Sequence, residues 1–189
     1  MNPGKAFILL LLLVTAFSFN IASADEYQST IKVFKNAGKS GTFFNNCYGY
    51  AVFPTIGKGG IGIGGAHGHG GVFVGGKQVG EARMTQLTIG FQLGGQAYSQ
   101  IIFFQDKRAF DEFSSGQFEF AAQATAVAIT AGASASATTT GASSSASGDQ
   151  GSASTAGNYY KGMAIFTVAK GGLMYEATLG GQKYKYIAN

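Results

Sequence analysis

The sequence predicts an α+β fold dominated by β-strands, in which antiparallel sheets curve into a sandwich or a partly closed barrel beside one or two short helices. The 189 residues include 30 glycines but only 2 prolines, together with 16 phenylalanines and 9 tyrosines. Glycine at this density disfavours helices, whereas strands joined by tight turns accommodate it. Apolar and polar residues also alternate over residues 86–93, which is the pattern of a strand with one buried face.

That alternating segment is the clearest strand of the sequence. Leu87 and every second residue to Leu93 lie on one face, and Gln86 and every second residue to Gln92 lie on the other. We expect the leucine face to be buried and the glutamine face to be exposed. Residues 99–104 follow as a second strand, whose run of four apolar residues predicts a strand covered on both faces.

The preceding glycine-rich segment is interpreted as short strands separated by turns. Residues 48–53 form an apolar strand that ends in a turn at 54–60, and isoleucine then alternates with glycine over residues 61–64. A strand in which every second residue lacks a side chain indicates close approach of another backbone. Turns at Gly70-Gly71 and at Gly75-Gly76 are expected to enclose a strand over 72–74.

Two short helices are predicted. Residues 26–39 place Ile31 and Phe34 on one face and lysines on the other. Residues 106–113 begin at Asp106, a residue type that favours the N-cap position, and Phe110 shares a face with the phenylalanine three residues later.

The second half of the chain contains less regular patterns. The apolar parity changes between residues 118 and 129, which requires either a bulge at 121–125 or coverage of both faces. Residues 132–157 are almost entirely Ala, Ser, Thr and Gly, so we expect a flexible loop that buries little apolar surface. Further strands are predicted at 159–168, 173–179 and 183–187. Residues 163–173 resemble residues 50–61, either through convergent turn chemistry or as a repeated structural unit.

Residues 1–24 have the features of a removable secretory signal peptide. A lysine precedes a long apolar run, and the small-residue cleavage signature Ala22-Ser23-Ala24 ends it. An uncleaved membrane anchor is the alternative, because the apolar run approaches the length of a membrane span. We favour cleavage and expect a single domain over residues 25–189, periplasmic or secreted, and soluble or peripheral to a membrane.

Charge and cysteine content restrict the partners. Removal of residues 1–24 leaves 12 basic and 9 acidic residues, a net charge of +3. This charge suits anionic lipid headgroups, but no basic run is longer than Lys107-Arg108, so we expect no nucleic-acid partner. Cys47 is the only cysteine and cannot form an intramolecular disulfide. We favour a small buried side chain over a disulfide between chains.

The sequence contains no convincing catalytic constellation, and we expect neither an enzyme nor a protein with a cofactor or metal. His67 and His69 would share a face on a strand and could hold a metal ion. Because no third ligand is close in sequence, exposed histidines on a turn are the favoured interpretation. Residues 60–65 match the spacing G-x-G-x-x-G, but no helix follows that could bind a phosphate at its N-terminus.

A basic, amphipathic segment at the first helix is the best candidate binding surface. Such a segment can lie on an anionic bilayer with its lysines at the headgroups and aromatic rings below them. The alternative, favoured by these residues alone, is an ordinary helix that packs on the sheet and exposes its lysines to solvent. The candidate headgroup contacts are Lys32, Lys35 and Lys39, with Lys58 and Lys170 from two similar glycine turns, and the candidate membrane-contacting rings are Phe43 and Phe44.

Five glycine-rich motifs also occur in a specific order along the chain. They are Gly49–Pro54, Lys58–Gly65, Gly75–Lys77, Phe91–Gln96 and Lys170–Leu173. Together, the motifs resemble the SYLF-domain family in its bacterial, exported form, over nearly all of the chain after the signal segment. The resemblance implies a lipid-binding module, since eukaryotic relatives bind phosphoinositides through an N-terminal basic amphipathic helix and some associate with actin.

The basic helix of those relatives corresponds loosely to Lys32, Lys35 and Lys39. An exported protein would not meet phosphoinositides or actin, so the expected partner is anionic phospholipid or a membrane surface. We therefore expect a non-catalytic phospholipid-binding protein of the cell envelope, with homo-oligomer formation left open. The alternative is a structural or self-associating envelope protein whose glycine-rich edge strands pair between subunits. A metal-dependent enzyme that uses His67 and His69 is a third, less favoured interpretation.

Overall fold

The computed structural model describes residues 24–37, 39–61, 63–89, 95–120, 126–129, 158–170 and 181–189. The predicted signal segment (apart from its last residue), the parity change at 121–125, the loop at 132–157 and the strand at 173–179 lie outside the described residues.

Eight strands form one sheet within the described residues. In chain order they are β1 (Gly49–Ile61), β2 (Ile63–Val74), β3 (Lys77–Ile89), β4 (Gln96–Phe104), β5 (Gln117–Glu119), β6 (Val127–Ile129), β7 (Met163–Ala169) and β8 (Gln182–Ala188). The spatial order is β5-β8-β3-β2-β1-β4-β7-β6, and every neighbouring pair is antiparallel except β6 and β7. The sheet is curled into a half-barrel, which confirms the predicted β-dominated class and its curved antiparallel architecture.

Three helices accompany the sheet in the described part of the chain. They are α1 (residues 24–36), α2 (Lys39–Phe43) and α3 (Lys107–Ser114). The predicted first helix is thus divided, since α1 ends before Lys39 and α2 begins there. The prediction for α3 is confirmed, and Asp106 is its N-cap, because its Oδ1 accepts a hydrogen bond of 2.9 Å from the Ala109 backbone nitrogen.

The strength of the curl follows from contacts between β4 and β8, which are four strand spacings apart. A flat sheet would separate these strands by about 19 Å. Gln100 Nε2 nevertheless donates a hydrogen bond of 2.6 Å to the Tyr184 hydroxyl, and Gln182 Nε2 donates one of 3.1 Å to the Tyr98 hydroxyl. The inner face must therefore close until side chains from opposite sides of the half-barrel meet.

Buried polar side chains lie at the centre of this inner face. The set, called here the inner polar cluster, consists of Gln86, Tyr98, Gln100, Thr167, Gln182 and Tyr184. Burial raises the pKa of Tyr98 to about 12 and raises that of Tyr184 well above 10, so both phenols stay protonated and can donate hydrogen bonds. An apolar core surrounds the cluster. It includes Phe53, Met84 and Ile102 from the strands and Phe113 from α3.

A second core lies on the outer face, beneath α1 and α2. Tyr27, Ile31 and Phe34 are spaced by four and three residues, so they share the face of α1 that packs on the sheet. They pack with Phe103 and Phe166, from β4 and β7, in an outer core that is rich in aromatic side chains and is called here the aromatic cluster. The outer face of these strands is therefore covered, as the four apolar residues of β4 predicted.

The glycine-rich region differs from the prediction in strand length. β1 continues through residues 54–60 and β2 continues through Gly70-Gly71, so the turns predicted at both places are wrong. A shift in register near Pro54 accommodates the proline within β1. The turn at Gly75-Gly76 is confirmed, and both residues have positive φ angles of 57° and 79°, the conformation that two-residue hairpin turns require.

Gly68 and Gly70 lie within β2. These positions are glycine because inner-face side chains occupy the space that a Cβ atom would need. A Cβ atom at Gly70 would lie 2.6 Å from the Phe53 ring, and one at Gly68 would lie 2.6 Å from the Ile56 side chain. This close approach was predicted for the neighbouring Ile61–Gly64 segment. At Gly68 and Gly70, the atoms in close contact belong to side chains as well as to backbone carbonyl groups.

The assignment of faces in β3 is wrong at Gln86 and Leu87. Gln86 is only 6% exposed and belongs to the inner polar cluster, whereas Leu87 is 72% exposed on the outer face. A buried polar side chain is stable when it has hydrogen-bond partners. Gln86 Oε1 accepts a long hydrogen bond of 3.5 Å from Gln182 Nε2, so a partner on β8 explains the inversion.

The two similar segments also differ in orientation. Ala51 and Phe53 of β1 face the inner core, whereas their counterparts Ala164 and Phe166 of β7 face the outer core. A structural repeat would conserve the buried face. The described residues therefore favour convergence over a repeated unit.

Substitution of Gly70 tests the steric argument for β2. We expect Gly70→Ala to lower the free energy of unfolding by about 1–3 kcal/mol, because the new Cβ meets the Val52 carbonyl oxygen and the Phe53 ring. Gly57→Ala is the matched control, since no atom lies within 4 Å of a Cβ atom there and it should not destabilise the protein. Urea unfolding followed by circular dichroism measures both. Equal effects at the two sites would contradict the packing described.

Removal of one hydroxyl tests the inner polar cluster. Tyr184→Phe takes away the acceptor of Gln100 Nε2, so we expect it to cost about 1–3 kcal/mol of unfolding free energy. Tyr160→Phe makes the same chemical change on a side chain that is 50% exposed, and should cost less than about 0.5 kcal/mol. Similar values for both variants would show that the cluster contributes nothing beyond its apolar packing.

Candidate functional site on the outer face of the sheet

The outer face is uncovered where it extends from the edge of α1 onto β3 and β8. Alternate residues of these strands point outward and are exposed, while the residues between them contribute to the inner core. This surface, called here the open outer face, consists of Glu81, Arg83, Thr85 and Leu87 from β3, Lys183, Lys185 and Ile187 from β8, and His67 and His69 from β2.

Basic side chains are concentrated at its centre. Arg83 is paired directly with Lys185 across β3 and β8, and Lys183 is paired with Thr85 in the next position. Like charges that face each other across a strand pair are destabilising. The positive charge of Lys183 is offset by Glu119, whose Oε2 atom lies 3.6 Å from the Lys183 Nζ atom. Arg83 and Lys185 form no salt bridge among the described residues, so this pair is an electrostatic cost of the fold.

Apolar side chains lie beside these cations. Leu87 is 72% exposed and Ile187 is 42% exposed on the same face. A surface that combines exposed cations with exposed aliphatic side chains matches the chemistry of a membrane interface, where phosphates lie above acyl chains. The arrangement can therefore bind an anionic amphiphilic surface without any catalytic group.

Sequence reasoning missed Arg83, Lys183 and Lys185. The available signal was the alternation of Lys183 and Lys185 with Tyr184 and Tyr186, which places both lysines on one face of the last strand. The strand itself was predicted. Its lysines could be recognised as part of a surface only once β8 was known to pair with β3.

The lysines predicted to contact headgroups are distributed over several surfaces. Lys32 and Lys35 are exposed on α1, and Lys39 is exposed at the start of α2. Lys35 Nζ lies 5.3 Å from the centre of the Phe44 ring, a cation–π distance that fixes it above the aromatic cluster. All three lysines are exposed, as the pattern of the helix predicted.

Lys58 and Lys170 do not share a surface. Lys58 is paired with Ala66, a member of the inner core, so it lies on the inner face at the end of β1. Lys170 lies on the outer side, where its Nζ donates a hydrogen bond of 2.9 Å to the Thr55 hydroxyl. Lys58 belongs to a strand, so its predicted position in a glycine turn is wrong.

The predicted membrane-contacting rings pack inside the protein. Phe43 is only 9% exposed, and its ring centre lies 5.4 Å from that of Phe103 and 5.1 Å from that of Phe166. Phe44 is half-buried against Phe103 and Tyr50. Since α2 docks on the sheet through these rings, Phe43 is a core residue and is not available to a membrane in this conformation.

Cys47 is a half-buried free thiol at the edge of the outer core. Burial raises the pKa of this thiol above its ordinary value. Since the thiolate is the reactive form, Cys47 is a poor nucleophile. Its packing agrees with the interpretation as a small buried side chain.

His67 and His69 lie on the central strand β2, so their predicted position on a turn is wrong. Their side chains share the outer face, and the two Nε2 atoms are 2.9 Å apart. Partial burial and the nearby charges of His67 and Arg83 lower the pKa of His69, which favours its neutral ring, while Glu81 acts in the opposite direction. No group of three or more metal-ligating side chains occurs among the described residues.

The two histidines line a cleft of about 360 Å³ between α1 and the sheet. Glu26 and Tyr27 of α1 form one wall, and Thr55 and Gly57 of β1 contribute to the other. Glu26 Oε1 lies 3.4 Å from the Thr55 hydroxyl, which also accepts the hydrogen bond from Lys170. The cleft thus extends the open outer face and contains both polar and apolar groups.

Comparison with protein families gives a match to the Ysc84 family, described as "Las17-binding protein actin regulator", over residues 85–185. The match covers more than half of the 189 residues. The chain belongs to the Ysc84 (SYLF) family. This family is associated with lipid binding and with actin regulation. The matched part contains Lys183 and Lys185 but not the lysines of α1. Comparison with curated proteins gives no significant match.

The helices of this SYLF-family chain are short. Within the residues that the structure describes, no helix combines the length and the apolarity needed to cross a membrane.

Phe43 is buried and Leu87 is exposed, so truncation of each side chain tests which of the two surfaces, α2 or the open outer face, is available to a ligand. We expect Phe43→Ala to cost about 3–5 kcal/mol of unfolding free energy, because it empties a buried aromatic site. Leu87→Ala should cost less than about 0.5 kcal/mol, since Leu87 is largely exposed. Chemical denaturation of both variants gives the comparison. A stability loss at Leu87 as large as that at Phe43 would show that the outer face is covered.

Proposed function

We propose that this chain is a non-catalytic protein that binds anionic phospholipid at the cell envelope after export, in the periplasm or outside the cell. The observation that carries the proposal is the open outer face, where Arg83, Lys183 and Lys185 are clustered beside Leu87 and Ile187. The association of the family with lipid binding supports it. The predicted signal segment supports location outside the cytoplasm.

Electrostatics and apolar contact would act together on such a surface. Each lysine or arginine near an anionic bilayer contributes about 1 kcal/mol, and salt screens this attraction. Three clustered cations therefore supply at most about 3 kcal/mol, less the opposing effect of Glu81 and Glu119, which suits reversible but not permanent attachment. Exposed Leu87 and Ile187 would add contacts with the upper acyl region, so binding should retain a component that salt does not remove.

Actin regulation is not included in the proposal. The predicted export of the chain would separate it from cytoplasmic actin. Anionic lipid remains a ligand that the exported chain would meet, whether it binds through the open outer face or through Lys32 and Lys35 of α1 and Lys39 of α2.

The alternative proposal of self-association through glycine-rich edge strands loses its structural basis in the described residues. The glycine-rich strands β1 and β2 are central, and each is paired on both sides. The edges are β5 and β6, which have three residues each and contain no glycine.

Vesicle co-sedimentation with two matched triple variants tests the proposed function and its surface. R83Q/K183Q/K185Q and K32Q/K35Q/K39Q each remove three positive charges, so they alter the net charge equally. With phosphatidylglycerol-containing vesicles, we expect the first variant to weaken binding by at least about tenfold, because it removes the clustered cations. The second variant should weaken it by less than about threefold.

Two outcomes would overturn parts of the proposal. Equal, negligible binding of the unmodified protein to phosphatidylglycerol and phosphatidylcholine vesicles would refute lipid binding. A larger loss in the α1 and α2 variant would assign binding to the helices instead of the sheet. Circular dichroism of each variant checks that the fold is retained.

A further inference from the structure

The histidine pair of β2 has the geometry of a bidentate metal ligand. His67 and His69 are two residues apart on one strand, so both side chains leave the same face. Their Nε2 atoms are 2.9 Å apart, and the ring planes are inclined at 84° with centres 4.6 Å apart. At this distance one Nε2 donates a hydrogen bond to the other, so a shared ion would replace this hydrogen bond at the cleft beside α1 and would require the proton of both rings to lie on Nδ1.

The distance between the nitrogens indicates the class of metal. Imidazole nitrogen binds transition metals at about 2.0–2.1 Å, so two nitrogens 2.9 Å apart subtend an angle of about 90° at a shared ion. An angle near 90° is that of neighbouring ligands in a square-planar or tetragonal site, which Cu²⁺ and Ni²⁺ prefer.

The strand holds this geometry in place. β2 lies in the middle of the sheet, where β1 and β3 are hydrogen-bonded to it on either side of the histidines. Gly68, between them, faces the inner core and is closely packed against Ile56. The backbone at the two histidines is thus fixed from three sides, which favours chelation because little conformational freedom is lost on binding.

We propose that His67 and His69 bind one Cu²⁺ ion, or a divalent metal ion of the same tetragonal preference, through their Nε2 atoms. Each neutral ring would keep its proton on Nδ1 and present the Nε2 lone pair to the metal. Water or an anion from the cleft would complete the coordination, since the described residues supply no third protein ligand. The histidines belong to the open outer face, but the proposed metal site does not depend on lipid binding.

Copper titration of the full chain tests the site, because the sequence contains only these two histidines. Calorimetry with CuCl₂ and glycine as competitor should give one ion per chain, and the electron paramagnetic resonance spectrum should be axial with coupling to two imidazole nitrogens. His67→Gln and His69→Gln should each weaken binding by at least about tenfold, to nearly the level of the double variant, because either change destroys the chelate.

The control and the opposing outcomes separate a chelate from surface binding. Thr85→Ala alters the exposed side chain paired with His67 across β2 and β3 and should leave the affinity within about twofold. Binding that persists unchanged in the double variant would place copper elsewhere and overturn the proposal. Two weak ions per chain, with one lost in each single variant, would show independent histidines and would also overturn it.

Discussion

The hydrogen bond from the Gln100 amide to the Tyr184 hydroxyl joins two strands that a flat sheet would keep about 19 Å apart. Such a bond requires a tightly curled sheet, and the curl leaves little volume on the inner face. Glycine at positions 68 and 70 follows from this shortage of space, since the inward side chains of Phe53 and Ile56 already occupy it. The same curl spreads the outer face, where side chains diverge and remain accessible.

The two faces of the sheet consequently have different roles. The inner face is closed by its own side chains and by α3, and its polar groups bind mainly to one another. The outer face needs separate elements to cover it, and α1 and α2 cover only the part over β1, β4 and β7 and over Phe73 at the end of β2. What remains open carries Arg83, Lys185 and the histidine pair. The candidate sites thus lie on the part of the outer face that α1 and α2 leave exposed.

Local patterns predicted several local elements but not the length of β1 and β2. Asp106, Gly75-Gly76 and the lysines of the last strand depend on neighbours within a few residues, and the elements that they mark were found. Gln86 and Phe43 were misjudged because their surroundings come from distant parts of the chain. Gln86 is buried because Gln182 on β8 supplies a partner, and Phe43 is buried because β4 and β7 supply aromatic rings. Neither contact leaves a periodic signal in the sequence.

The position of β8 in the sheet has a consequence for synthesis. β8 lies between β3 and β5, although roughly 90 residues separate its start from the end of β3. At about 5–20 residues per second, a ribosome needs about 5–20 seconds to add that length of chain. During this interval β3 has no partner on one side, and an unpaired strand edge is a template for wrong association. The last residues of the chain must therefore be present before β3 is paired on both sides.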